Sequence, residues 1–217
     1  MKTHSDKLII RDLGMQDYEP VWQAMQYFTA KRDKSTIDEL WCLQHPPVFT
    51  MGLNGKDKHL LNVKNIPVIN IDRGGQVTYH GPGQLVIYTL LDLKRLNIGV
   101  KELVTTIETS IIKLLKKYKI NATGKDNAPG VYVNENKIAA LGLRIKKNRS
   151  YHGLSLNIDM DLSPFQQINP CGYAGMSVTQ LKDLYGKSEF NVVKSDLTSI
   201  LSKQLGYNSI TTHSELP

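Results

Sequence analysis

Two cysteines occur in the 217 residues, and one of them, Cys171, stands in Asn169-Pro170-Cys171-Gly172-Tyr173-Ala174-Gly175. Pro170 lacks a backbone donor, while Gly172 and Gly175 let the chain turn tightly and bring bare amides close to a ligand. A thiol presented in this way suits a nucleophile, whereas a packed cysteine is ordinarily a small hydrophobe. Three side chains offer activation. His80 and His152 are candidate general bases, since histidine is a common partner of a nucleophilic cysteine. Lys137 offers another route, because a nearby ammonium stabilises a thiolate by charge and lowers the thiol's pKa. A second dense segment, Arg73 to Gln84, holds four glycines in twelve residues. Glycine-rich backbone approaches a ligand closely and aims amide donors at it. The spacing matches neither the dinucleotide fingerprint nor the Walker loop. Arg73 is also the only Lys or Arg between Asn65 and Leu93, which is thin neutralisation for a triphosphate. The segment fits an elongated, mostly neutral ligand.

The elements that must position these groups are legible from periodicity. Val21, Trp22, Met25 and Phe28 recur at helical spacing after Asp17, as do Val100, Leu103, Val104, Ile107, Ile111, Leu114 and Leu115. A third helix is expected from Ser195, as its cap, to the stop at Gly206. Short β-like runs cover Leu40 to Leu43, Val68 to Ile71, Leu85 to Leu91, Val131 to Val133, Ile138 to Ile145 and Gly153 to Ile158. The polar turn from Asn134 to Lys137 makes the fourth and fifth runs a hairpin, with Lys137 at the base of its second strand. Runs of strands broken by a few helices indicate an α+β fold.

With 41% hydrophobic and 22% charged residues, the chain is long enough to bury a core and fits one globular domain. Cys42 and Cys171 make neither a disulfide framework nor a metal cluster, and Cys42, in an alternating strand, reads as structural. The first ten residues, with Lys2, His4, Asp6 and Lys7, lack the apolar stretch of a signal peptide. No run of about eighteen apolar residues suggests a membrane span. The expectation is a cytoplasmic, reduced protein that binds no membrane. Of the net charge of +7, the segment Lys113 to Arg149 carries ten Lys or Arg against Asp126 and Glu135, so 10 − 2 = +8. This basic stripe fits an acidic protein partner or a solvated face. A nucleic-acid surface would need more than two aromatics and a groove-reading motif, and neither is present.

Taken together, these segments resemble the lipoyl(octanoyl) transferases of lipoate biosynthesis. The matching stretches are His45 to Thr50, Arg73 to Gln84, Lys137 to Ile145, His152 to Asn157, Met160 to Phe165 and Ile168 to Gly175, in family order and spanning about three-fifths of the chain. The resemblance implies the fold of the biotin and lipoate protein ligases, a single catalytic domain over residues 1–217 with a mixed, mostly antiparallel sheet and flanking helices. It implies transfer of an octanoyl group from octanoyl-acyl carrier protein to the acceptor lysine of lipoyl domains. Those acceptors would belong to the 2-oxoacid dehydrogenase complexes and the glycine cleavage H protein. By the same resemblance Cys171 is the acyl-thioester nucleophile and Lys137 lowers its pKa. Substrate contacts fall on Arg73, Gly74, Gly75, Gln76, Val77, Thr78, Tyr79 and His80, on Ala140, Leu141 and Gly142, and on Gly153, Leu154 and Ser155. The acyl group arrives on the phosphopantetheine arm of the carrier, so neither metal, cofactor nor ATP is expected. The protein is expected to be a monomer. Backbone amides near Gly172 or the Gly74-Gly75 turn are the expected oxyanion donors. An ATP-dependent lipoate ligase would share the fold and a lysine near Lys137, but it would need no cysteine nucleophile.

Overall fold

The computed structural model describes residues 6–126 and 128–217; Lys2 and His4 lie outside the described residues. In chain order the elements are β1 (Lys7–Met15), α1 (Tyr18–Lys31), β2 (Asp38–Gln44), β3 (Val48–Met51), β4 (Val68–Asn70), β5 (Val77–His80), β6 (Gln84–Leu90), α2 (Leu93–Leu96) and α3 (Val100–Lys117). They continue with β7 (Thr123–Gly124), β8 (Gly130–Val133), β9 (Asn136–Lys146), β10 (Arg149–Asn157), α4 (Leu181–Tyr185), α5 (Phe190–Leu205) and β11 (Ser209–His213). Eight strands form one sheet in the order β11-β1-β2-β6-β10-β9-β8-β7, and β4-β3-β5 form a smaller one. The pairings of β1 with β2 and with β11 are parallel, as is β3 with β4, and the other pairings are antiparallel. The α+β class and the mixed, mostly antiparallel sheet agree with the sequence.

Strand side chains alternate between faces, and the large sheet uses both. In β6, Leu85 and Ile87 join α3 and α5 on one side, while Val86, Tyr88 and Leu90 join α1 on the other. β2 divides in the same way, with Leu40 and Cys42 facing α3 and α5, and Trp41 and Leu43 facing α1. The sheet is therefore the middle of three layers. From α3, Leu103, Ile107, Ile111 and Leu114 are fully buried, and each such side chain contributes about 1.5–3 kcal/mol. Cys42 lies in this core, where burial pushes its thiol up to about 12, in keeping with a structural role.

Two hairpins carry the site. The turn between β8 and β9 is Asn134-Glu135, with φ of 46° and 69°, and that between β9 and β10 is Lys147-Asn148, with φ of 52° and 60°. Positive φ at both central residues matches the right-handed twist of the strands. The expected third helix begins earlier than Ser195, because α5 starts at Phe190 and Glu189 is its N-cap. Val193 is fully buried, so the apolar face continues a turn upstream and Ser195 falls inside the helix. The periodicity also omits β1, β3, β5, β7 and β11. β5 is hidden in the glycine-rich segment, and all five residues of β11 are exposed.

Candidate active site

Lys137 and Cys171 reach each other from different elements. Lys137 is the second residue of β9 and only 4% exposed. Its Nζ lies 3.1 Å from Cys171 Sγ and 3.2 Å from the Pro129 carbonyl oxygen, to both of which it donates. The ammonium stands 5.1 Å from the centre of the Tyr132 ring, a cation–π distance. Gly130 leaves room for this side chain: its φ is 147°, and a Cβ there would lie 3.0 Å from Lys137 Cε and 2.7 Å from the Ala139 carbonyl oxygen. Burial alone would favour the neutral amine, but the electrostatic influence of Cys171 and the side-chain interactions with Tyr132 and Cys171 outweigh burial and hold the ammonium above its ordinary range.

Cys171 occupies the Pro170–Gly172 3₁₀ turn with φ of 56°. That left-handed conformation costs a non-glycine residue about 1–2 kcal/mol and persists because the arc around it is pinned. Upstream, the Asn169 N–H donates to the His59 carbonyl at 2.8 Å, and Leu60 bridges Ile168. Downstream, the Lys137 N–H donates to the Ser177 carbonyl at 2.9 Å, and the Thr179 N–H donates to the Lys137 carbonyl at 3.0 Å. The nucleophile's loop is thus tied to the backbone of the lysine beside it.

The pair opens on a cavity of about 420 Å³, within the usual range for small-molecule sites. Its walls come from the Arg73 loop, β5 and the middles of β9 and β10. Every expected contact residue lines it except Tyr79. Tyr79 turns to the other face of β5, where its ring packs on Phe49 and Phe165.

Arg73 is buried at the cavity, donating from Nη2 to the Thr50 carbonyl at 2.6 Å and hydroxyl at 3.0 Å, and from Nη1 to the Gly74 carbonyl at 2.9 Å. Its bulk explains Gly142, where a Cβ would lie 2.9 Å from Arg73 Cδ. Gly153, paired directly across from Gly142, serves a different purpose. A Cβ there would lie 2.0 Å from the Ile87 carbonyl oxygen, so only glycine lets β10 approach β6 this closely.

Both histidines line the cavity, but the thiol's hydrogen-bond partner is Lys137. His80 Nδ1 sits 2.7 Å from Gln84 Oε1, and burial lowers the ring to about 3, so it is neutral. His152 Nε2 lies 3.0 Å from Asp72 Oδ1, and burial lowers this imidazole too, against the pull of that carboxylate. Asp72 also accepts from Tyr151, Trp22 and Gln26. Burial pushes its carboxyl up, but these four donors outweigh that and hold it well below the usual carboxylate range. The network joins α1 and β10 to the start of the Arg73 loop.

Two of the amides in the expected oxyanion regions are engaged. The Gly172 N–H donates to the Asn169 carbonyl and the Gly74 N–H to the Leu143 carbonyl, each at 2.9 Å, so both are committed within the protein. Tyr18, Tyr88, Val100 and Val104 also line the cavity. The two valines belong to a regular helical stripe and read as core, and no local signal marks the tyrosines. The basic stripe is divided: Lys137 is inside the site, Lys117 pairs with Asp196 and Lys125 with Glu135, both at 2.6 Å. Among the described residues no helix is long and apolar enough to cross a membrane.

The architecture is that of the lipoate and biotin protein ligases. A lipoate-protein ligase A bound with ATP superposes with a TM-score of 0.73 over 96% of this chain and 87% of that one, at 13% identity. The biotin protein ligase from Aquifex aeolicus in complex with biotin and ATP gives 0.56 over 92% and 70%, at 14% identity. The lipoyl protein ligase A/B catalytic domain matches residues 17–201. The octanoyltransferase of Shewanella pealeana is 58% identical over 214 residues, 99% of this chain and 98% of its own, and that of Shewanella loihica is 59% identical over 209 residues, 96% of each. The chain belongs to the lipoyl protein ligase A/B family and, within it, to the octanoyltransferases.

Proposed function

We propose that the chain moves an octanoyl group from octanoyl-acyl carrier protein to the acceptor lysine of lipoyl domains by way of a thioester on Cys171. The observation that carries this reading is the 3.1 Å contact between Lys137 Nζ and Cys171 Sγ at the edge of an apolar-walled cavity. The Cys171 thiolate attacks the thioester carbonyl, and the departing pantetheine thiolate takes a proton from the Lys137 ammonium. Cys171 is now uncharged, so the influence that kept Lys137 protonated is gone and burial favours its neutral amine. That amine accepts the proton released as the acceptor lysine attacks, the amide forms and the Cys171 thiolate leaves beside a restored ammonium. Thioester exchange followed by amide formation runs downhill without ATP. Val77, Val86, Leu141 and Leu154 supply apolar wall for the acyl chain, and each methylene buried there contributes about 0.8 kcal/mol.

The acceptors would be lipoyl domains of the 2-oxoacid dehydrogenase complexes and the glycine cleavage H protein. Residues 1–217 act as one catalytic unit, a monomer in the cytoplasm, with no metal. Arg73 to Thr78, His80, Ala140 to Gly142 and Gly153 to Ser155 hold the acyl group. The test is to incubate the protein with octanoyl-acyl carrier protein without nucleotide and weigh it intact. An octanoyl adduct that disappears in Cys171→Ala supports the reading, and an adduct that forms only once ATP is added refutes it in favour of a ligase.

A further inference from the structure

We propose that Glu108 is a positioning residue that acts on Lys137 through the Pro129–Gly130 peptide group, fixing the carbonyl that grips the lysine amine and making its oxygen more negative. The inference rests on the transferase reading above. Val100, Val104 and Glu108 follow at four-residue spacing along one face of α3, and the two valines line the cavity. Glu108 Oε1 accepts the Gly130 N–H at 2.8 Å. The other end of the same peptide group, the Pro129 carbonyl, accepts from Lys137 Nζ at 3.2 Å. The peptide is trans, so its N–H and C=O point in opposite directions and the group stands between the carboxylate and the amine. Gly124 leaves room for the carboxylate, since a Cβ there would lie 3.2 Å from Glu108 Oε2.

A peptide group that ends on a glycine is freer to turn over, and Gly130, with φ of 147°, has no side chain to stop it. Turned over, it would aim an N–H at the lysine in place of the carbonyl oxygen. The bond to Glu108 opposes this rotation. A carboxylate on the N–H side also polarises the carbonyl, because hydrogen bonds in a chain strengthen one another. Cys171 and Tyr132 are the other titratable groups facing Lys137, and Lys137 and Asp126 are those facing Glu108. Burial lifts the Glu108 carboxyl above its ordinary range, against the pull of the Gly130 N–H and of the Lys137 charge. Once Cys171 carries the acyl group it is uncharged, whereas the Glu108 charge stays. Lys137 thereby keeps the basicity to accept the proton that leaves the acceptor amine as the amide bond forms and the bond from the acyl carbon to Cys171 sulfur breaks.

Octanoyl-enzyme, made with octanoyl-acyl carrier protein and weighed after proteolysis to place the adduct on Cys171, is mixed with acceptor lipoyl domain in single turnovers across pH 6–10. The ionisation of the acceptor lysine is common to wild type and variants, so a difference in midpoint between them belongs to Lys137. Glu108→Gln keeps an oxygen for the Gly130 N–H and loses the charge. Its midpoint should fall by about 0.5–1 pH unit while its plateau stays within about threefold of wild type. Glu108→Ala loses the anchor as well, so the same fall should accompany a plateau at least about 10-fold lower. An unmoved midpoint in Glu108→Gln overturns the proposal, as does a plateau in Glu108→Ala equal to that of Glu108→Gln. Wild-type protein that takes up octanoyl mass at a residue other than Cys171 overturns the transferase mechanism instead, and this inference with it.

Discussion

Replacing Lys137 by glutamine should affect alkylation and acyl transfer to very different extents. At 3.1 Å and an effective dielectric of about 20, the gross attraction between ammonium and thiolate is about 5 kcal/mol. Ionising an ordinary thiol of pKa about 8.5 at pH 7 needs only about 2 kcal/mol. Such a thiol is about 3% thiolate, so ionisation can raise its reactivity by no more than about 30-fold. The intrinsic nucleophilicity lost as a thiol becomes more acidic trims that gain, and Lys137→Gln should slow iodoacetamide alkylation at pH 7 by about 5–30-fold. At pH 10, where any thiol of ordinary acidity is ionised, the two proteins should react alike. Octanoyl transfer also loses the group that moves a proton in each half-reaction, which is worth a further 10²–10⁴-fold or so. Turnover should therefore fall by about 500-fold or more at pH 7 and, with only the ionisation part regained, should stay at least about 10²-fold down at pH 10. Pre-steady-state alkylation and transfer assays across pH 6–10 distinguish the two behaviours. Equal alkylation of both proteins at pH 7, or full recovery of transfer at high pH, refutes the reasoning.

Other expectations concern the frame of the site. Gly153→Ala places a Cβ 2.0 Å from a backbone oxygen and should cost about 3 kcal/mol or more, a fall in Tm of roughly 6–12 °C by calorimetry; an unchanged Tm would contradict the packing described. His45 and His80 are neutral in the fold, lowered by burial to about 4 and about 3. The unfolded chain binds protons there below about pH 6.5, so stability is full above that pH and declines beneath it. Denaturant unfolding near pH 5 should show a slope of about 2.7 kcal/mol per pH unit from these two groups, and a flat profile between pH 6.5 and 5 would count against it. If the exposed lysines of the basic stripe steer acidic carrier and acceptor proteins, added salt should depress the second-order rate more than the single-turnover rate of preformed acyl-enzyme. Equal depression would remove that role.

What was legible in the sequence was whatever depends on local period and on motif. The amphipathic stripe of α3, the hairpin ahead of Lys137 and the loop of Cys171 each carry their signal within a dozen residues. Tyr79 shows the limit of contiguous motif reading: it lies inside a stretch that matches as a block, yet its ring packs on Phe49 and Phe165. The tyrosines of the cavity were illegible because Tyr18 and Tyr88 arrive from an outer helix and a central strand, separated by seventy positions of sequence. The occupied amides of Gly74 and Gly172 were illegible for a similar reason, since their acceptors are set by folding. β11 pairs with β1 across almost the whole chain, and its exposed residues show no face.

The pinned arc around Cys171 also separates catalytic competence from folding stability. Lys137 belongs to a long strand embedded in the sheet, whereas the sulfur is held by a few hydrogen bonds at His59, Ser177 and Thr179. Releasing either clamp swings the thiol from its partner while α3, α5 and the sheet between them stay packed. A segment held in this way is of the kind that opens locally, at a free energy below that of global unfolding. Heating should therefore abolish acyl transfer below the calorimetric Tm, and cooling should restore it; transfer lost only at the Tm would contradict this.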